Sequence, residues 1–316
     1  MNKRLILQLI LLIILILAPQ FLLSSYHLFR LTLVAAYAIV VLGLNLLMGY
    51  NGQFSLGHSS FFAIGAYLTA IMIPHLGPYY LLAIPCSAVI SLLVGLIIGI
   101  PAIRFHGIYL AIVTLTLAVA TPQIIKFLEP WTSGAMGINL DKPSAPNFLP
   151  LNPDQWIYFL TILITIFLFY LARNLIESRV GRAIIAIHDN PIAASTLGVN
   201  ISAYKIMVFG VSVMYASIAG SLAALILQFV APDVLTFELS IYFVIGVIVG
   251  GVRSLWGPIY GAFYIVFLPN IANAISKGAP EVISGLILIL LLIFLPEGIH
   301  GGLRKIYVYL QQKRYA

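Results

Sequence analysis

Runs of about twenty apolar residues recur along nearly the whole chain, and this restricts the fold more than any other feature. A helix needs roughly 20 such residues to cross the hydrocarbon core of a bilayer. Only helices and closed barrels satisfy their backbone groups there. The runs fall at 5–23, 31–50, 57–73, 80–100, 108–125, 156–172, 205–230, 239–252, 257–275 and 282–296. Of the 316 residues, 62% are hydrophobic and 8% charged, against about 25% charged in soluble domains. Too few charged groups are present to clothe a water-facing surface, so lipid must cover most of the molecule. The expected fold class is all-α, a polytopic integral membrane helical bundle of about ten transmembrane helices. Nine is the count if one of the short runs at 239–252 and 282–296 does not cross. A single transmembrane domain over 1–316 is expected.

Charge sets an expected orientation. With the N-terminus inside, twelve basic residues fall on inside segments, Arg104, Arg173, Arg179, Arg182, Lys205 and Arg253 among them. Four (Arg30, Lys126, Lys142 and Lys277) fall outside. That asymmetry obeys the positive-inside rule and places both termini in the cytoplasm. A signal peptide is the alternative reading of the first run, but Pro19-Gln20 makes a poor cleavage site, so a retained span is expected. Two connections exceed a tight turn: 126–155, expected to be extracytoplasmic, and 173–204, expected to be cytoplasmic. The net charge of +7 would point to nucleic acid in a soluble protein. Here it lies on inside loops, and no nucleic-acid partner is expected.

The missing chemistry narrows the function. No G-x-x-x-x-G-K-[ST] phosphate loop occurs, so the chain is not expected to hydrolyse ATP. No Cys/His set has metal-ligand spacing, and the single Cys86 cannot form an internal disulfide. No acid precedes Glu129, and each acid falls in a loop or at a helix end. Ion-coupled carriers use an intramembrane acid or histidine, so proton or sodium coupling is disfavoured. His58 is the one ionisable group expected at depth. No nucleophile or acid–base pair supports a membrane enzyme.

Polar groups concentrate in Gly43 to Tyr67, GLNLLMGYNGQFSLGHSSFFAIGAY. Polar side chains at membrane depth are costly unless paired or wetted. Glycine permits close backbone approach and broken helices. Two readings stand: a cytoplasmic turn with small-residue contacts, or an interrupted helix lining a pathway. Asn45, Gln53, Ser55, His58, Ser59 and Tyr67 are the candidate pathway residues here. A fainter echo, GGVRSLWGPIYGAF, spans Gly250 to Phe263. The run at 108–125 adds Thr114 and Thr116; Tyr109, Thr116 and Gln123, spaced by seven, share one helix face.

The inside connection reads RNLIESRVGRAIIAIHDNPIAASTLGVNISAYK. Asp189 or Asn190 as cap, Pro191 in the first turn and Gly198 past the end predict a short helix over about 191–197. Its apolar and small residues fit a partner's groove better than a solvated linker. Arg182, Asp189, Asn190, Pro191, Ala193, Ala194 and Gly198 are the candidate coupling residues.

These motifs resemble the permeases of branched-chain amino acid ATP-binding cassette transporters. The resemblance rests on Gly43–Tyr67, on GIYLAIVTLTLA at 107–118 (similar to the LivM type), on 181–205, on GGVRSLWGPIYGA and on LPEGI at 295–299. It covers about 31–302. One departure is Ile192, where the general loop pattern places a glutamate. The resemblance implies a transport subunit rather than an enzyme, in the cytoplasmic membrane of a prokaryote. It implies no cofactor or metal on this chain, with ATP used by two cytosolic ATPase subunits. A homologous second permease subunit, an extracytoplasmic substrate-binding protein and membrane lipid complete the expected partners. Leucine, isoleucine and valine are the implied cargo; relatives for urea or short amides are the alternative within the family. A self-sufficient carrier or channel is the rival from another class.

Overall fold

The computed structural model describes residues 24–105, 107–146, 151–275 and 279–305. The run at 5–23 lies outside the described residues. The principal helices are α1 (Ser25–Asn45), α2 (His58–Leu76), α3 (Ala83–Ala102), α4 (Ile108–Phe127), α5 (Pro153–Glu177), α6 (Arg179–Asp189), α7 (Pro191–Thr196), α8 (Ile201–Leu227), α9 (Phe237–Gly250), α10 (Gly257–Ile275) and α11 (Pro280–Phe294). Among the described residues, seven stretches are long and apolar enough to cross a membrane. One of them, His58–Ala102, holds both α2 and α3, joined by the 3-10 turn Gly77–Leu82.

Residues 173–204 are helical for most of their length rather than an open connection. α5 continues to Glu177, and α6 and α7 follow at once. Three caps explain this. Ser178 accepts from the Gly181 N–H (3.2 Å), Asn190 from Ala193 (3.0 Å) and Asn200 from Ala203 (3.1 Å). Each satisfies an otherwise orphaned donor at a helix start. Gly181, Ile184 and Ile187, at a spacing of three, form the buried face of α6. Gly198, at φ 82°, ends the run where only glycine is unstrained.

α8 is the axis of the bundle. It lies against α1, α2 and α3, and 83% of its apolar window is buried, against 78% for α1 and its continuation, 22% for α5 and 6% for the last stretch. α1 in turn meets α5 and α10. The inner helices therefore face protein, and α5 and the stretch that holds α11 are the least covered among the described residues. Close approach comes from small residues, as expected where water supplies no driving force between helices. A Cβ on Gly65 would fall on the Ser217 carbonyl, and one on Gly220 would fall on that of Phe62. Ser87 and Ser91 of α3 bond Ser221 (2.6 Å) and Ser217 (2.8 Å) of α8. Each pair is spaced by four, so the hydroxyls form a ladder between the two helices.

The chain direction of these helices defines two ends. One carries α6, α7, the 51–57 segment and the α9–α10 turn. The other carries the 128–146 segment, which forms one helical turn (Glu129–Thr132), a 3-10 turn and a two-residue strand, Ile138–Asn139. That strand pairs antiparallel with Phe229–Val230, with Ile138 opposite Val230.

Candidate functional site

At the α6–α7 end, α1 does not stop at Asn45 but widens into a π turn, Leu46–Tyr50. Such turns collect at functional sites. The buried Asn45 side chain holds this point. It donates to the Ser254 carbonyl (2.8 Å) and accepts from the Arg253 N–H (3.1 Å). Tyr50 adds a bond from its hydroxyl to the Arg253 carbonyl (2.7 Å). The end of α1 is thus bonded to the turn between α9 and α10. Arg253 sits there at φ 63°, a region that a long side chain rarely adopts.

The chain then runs without regular structure from Asn51 to Gly57 before α2 begins. Most of its polar groups are closed by hydrogen bonds, although the buried Asn51 Oδ1 meets no partner among the described residues. Asn51 donates to Gln53 Oε1 (2.6 Å). Leu56 N–H donates to Thr114 Oγ1 (2.9 Å), and Thr114 donates back to its own helix at Leu110 and Ala111. Around the fully buried His58 the donors run in one direction. Ser212 bonds the Gly43 carbonyl (2.7 Å) and so has only a lone pair left for His58 Nε2, at 2.7 Å. Nε2 therefore carries the hydrogen, and Nδ1 accepts from Ser55 (3.2 Å), which itself accepts from the Gly57 N–H. A neutral imidazole fills every place in this chain, which leaves no vacancy for a relayed proton. Ser59 is tied to α9: its N–H donates to Ser240 Oγ, and Ser240 donates to Ser59 Oγ, both at 2.8 Å.

The structure therefore brings Ser55, His58, Ser59 and Thr114 into one buried joint of α2, α4, α8 and α9, whereas Gln53, also buried, bonds Asn51 and the Leu47 carbonyl at the end of α1, and Asn45 forms a joint with the α9–α10 turn. Tyr67 and Thr116 stand apart. Tyr67, farther along α2, is buried, and its hydroxyl meets no hydrogen-bond partner among the described residues; the Ser60 hydroxyl, seven residues earlier on the same face, is in the same condition. Thr116 is exposed and bonds only its own helix at Ile112 (3.0 Å). Tyr109 and Gln123 are exposed with it. The stripe predicted by their spacing exists, and it faces away from the other described residues.

The end of α6 lies against the unwound segment. Gly52, at φ 72°, lies against the His188 ring, where a Cβ would come within 2.9 Å of Cδ2. Asp189 accepts from Arg253 Nη2 (2.7 Å), and this hydrogen bond, with the guanidinium charge behind it, holds the Asp189 carboxyl below the usual carboxylate range. Neither the ion pair nor the part played by Arg253 could be found from the sequence, because the partners are 64 residues apart. On α7, Ala194 turns inward and is buried, whereas Pro191 and Ala193 are exposed. Ile192 and Leu197 are 77% and 82% exposed. Arg182 bonds the Glu177 carbonyl (3.3 Å), bracing the start of α6. No group of three or more metal-ligating side chains occurs among the described residues.

Comparison with known proteins places these features in context. The model of the family described as branched-chain amino acid transport system / permease component matches residues 26–295. The high-affinity branched-chain amino acid transport system permease protein LivM of Escherichia coli K12 is 28% identical over 314 residues, covering 92% of this chain and 74% of the relative. The corresponding LivH of Salmonella typhimurium is 24% identical, covering 90% and 97%. The autoinducer 2 import system permease protein LsrC of E. coli O157:H7 is 27% identical, covering 74% and 69%. No solved structure matches the chain.

Proposed function

Because the chain belongs to the branched-chain amino acid transport system permease family, we propose that it is the membrane subunit through which cytosolic ATPases drive import of an aliphatic amino acid. The relatives' names include both branched-chain amino acids and autoinducer 2, so the cargo rests on the nearer likeness to LivM over most of the chain. Two ATPase subunits, an extracytoplasmic binding protein and a second, homologous permease complete the assembly. Similarity to both LivM and LivH supports that last partner, since two related permeases then face one another.

One observation carries the reading: Ile192 on α7 and Leu197 just past its end stand out at the α6–α7 end of the bundle, 77% and 82% exposed, with little among the described residues to cover them. Two exposed aliphatic side chains on a capped single-helix platform fit a groove in another protein. The platform is not loose. Asp189, one residue before the cap of α7, is bonded to Arg253, and Arg253 is bonded through its backbone to Asn45 and Tyr50. Movement of α7 by an ATPase therefore reaches the end of α1 and the α9–α10 turn together. A two-state joint of this kind lets a remote energy source shift an access equilibrium.

The pathway follows the same logic. Asn45, Ser55, His58 and Ser59 brace helices against one another, whereas Thr116, with Tyr109 and Gln123, forms a polar stripe on an otherwise apolar outer face of α4. That stripe faces the second permease across a shared conduit. Tyr67 and Ser60 keep hydroxyls that meet no partner among the described residues, and they bond water or cargo in a state that opens α2. Cysteine placed at Thr116 should react with a water-soluble thiol reagent in the assembled transporter, while cysteine at Ile166 on α5 should not. Equal protection at both positions would remove α4 from the conduit.

A further inference from the structure

Away from these joints, α9, α10 and α11 line an open cleft of about 400 Å³. That is within the range of small-molecule sites, roughly 300–1,000 Å³. Its lining is ordered by helix geometry. Glu238, Ile241, Tyr242 and Ile245 of α9 contribute one face, at i, i+3, i+4 and i+7. Tyr264 and Leu268 face them from α10, and Ser284 and Leu288 from α11. Each helix thus supplies hydroxyl or carboxylate groups as well as aliphatic wall.

Glu238 is the unusual member. Every other described acid on the stretches able to cross a membrane has a cation: Asp154 has Lys142, Glu177 has Arg173 (2.8 Å), Asp233 has Lys126 (2.7 Å) and Glu297 has Lys305 (2.7 Å). Glu238 meets no cation among the described residues, although it sits in the first turn of an apolar helix. An exposed carboxylate in a mostly apolar cleft that two tyrosines also line favours a cation that brings its own apolar body.

We propose that this cleft binds an amphiphile that carries an ammonium group beside an aliphatic chain. The ammonium pairs with Glu238 between Tyr242 and Tyr264, and the chain lies along Ile241, Ile245, Leu268 and Leu288. From Glu238 to Ile245 the wall runs about 10 Å at 1.5 Å per residue. Two sources share this chemistry: an aliphatic amino acid from the aqueous phase and an aminophospholipid from the surrounding bilayer. The site is separate from the α6–α7 joint and does not depend on how transport is driven.

The test uses the full chain in phosphatidylglycerol nanodiscs, with two arms. Radiolabelled L-leucine is bound in one, with 4-methylpentanoate, which lacks the ammonium, as competitor. Phosphatidylethanolamine is titrated in the other and retained lipid is counted by native mass spectrometry. The expected result is binding in at least one arm, weakened about tenfold by Glu238→Gln and less by Glu238→Asp, with the melting temperature unchanged. In the leucine arm, 4-methylpentanoate should fail to compete. Leucine binding would identify the aqueous source and phosphatidylethanolamine binding the bilayer source. The proposal is overturned if neither ligand binds, if Glu238→Gln binds as the parent does, or if the ammonium-free acid competes as well as leucine. ATP-driven uptake is read in neither arm, so that failure would leave the transport reading standing.

Discussion

Asp189 and Arg253 are bonded at 2.7 Å across a sequence separation of 64 residues, and that bond joins the α6–α7 platform to the membrane helices. Its backbone neighbours make it more than a surface ion pair. The Arg253 N–H and carbonyl are both taken by residues at the end of α1. Arg253→Ala should therefore leave insertion and ATPase binding intact but reduce the uptake obtained per ATP hydrolysed. Parallel measurement of uptake and hydrolysis in proteoliposomes checks this; an unchanged ratio would remove Arg253 from the joint.

The same bond sets a pH dependence. Asp189 is held below the ordinary carboxylate value, first by the Arg253 hydrogen bond. A depressed folded value means that the contribution is complete above the unfolded value, near about 3.9, and is lost only as pH falls through the lower folded one. The difference in coupled uptake between the parent and Asp189→Asn should be flat from about pH 8 to about pH 5. A difference that titrates near neutrality would assign the effect to another group.

His58 is expected to act as a brace. His58→Ala strips partners from Ser55 and Ser212 in a buried site, at a cost of about 1–3 kcal/mol for each group left unsatisfied. A lower melting temperature in detergent should accompany the change. Uptake by the surviving folded fraction should show no altered dependence on a proton gradient, because the imidazole has no vacancy for a relayed proton. A changed gradient dependence would return His58 to a transport role.

Close helix approach at Gly65 gives a stability prediction. Its Cβ would overlap the Ser217 carbonyl on the most buried helix. Gly65→Ala should destabilise the protein by about 1–3 kcal/mol, the usual range for overpacking. Gly285→Ala, where nothing lies within 4 Å, should be tolerated. Thermal unfolding of the two variants side by side provides the comparison.

Much of this architecture was legible because lipid simplifies the code. The run at 257–275 coincides with α10, and that at 108–125 ends within two residues of α4. The short helix over about 191–197 was also readable, since Asn190, Pro191 and Gly198 are local signals. α6 was not: Ser178 caps it, but its apolar face repeats over only three buried positions among basic and small residues. In the polar segment, residue type marked Asn45, His58 and Ser59 as candidates, yet not what they touch. Their partners, Ser254, Ser212 and Ser240, are more than 150 residues distant. Ala194 shows the same limit. Its motif position pointed to a docking residue, whereas the fold turns it inward and exposes Ile192 and Leu197 instead.

The central claim is that an outside protein works this chain through α7. Its most direct measurement is uptake of radiolabelled leucine into proteoliposomes by the permease pair with its ATPases and binding protein, compared with this chain alone and with Ile192→Asp/Leu197→Asp in the full assembly. The account predicts ATP-dependent uptake by the parent assembly only, with the double variant inserted in the membrane but no longer retaining the ATPases. Uptake by the isolated chain without nucleotide, or parent-like uptake by the double variant, would contradict it.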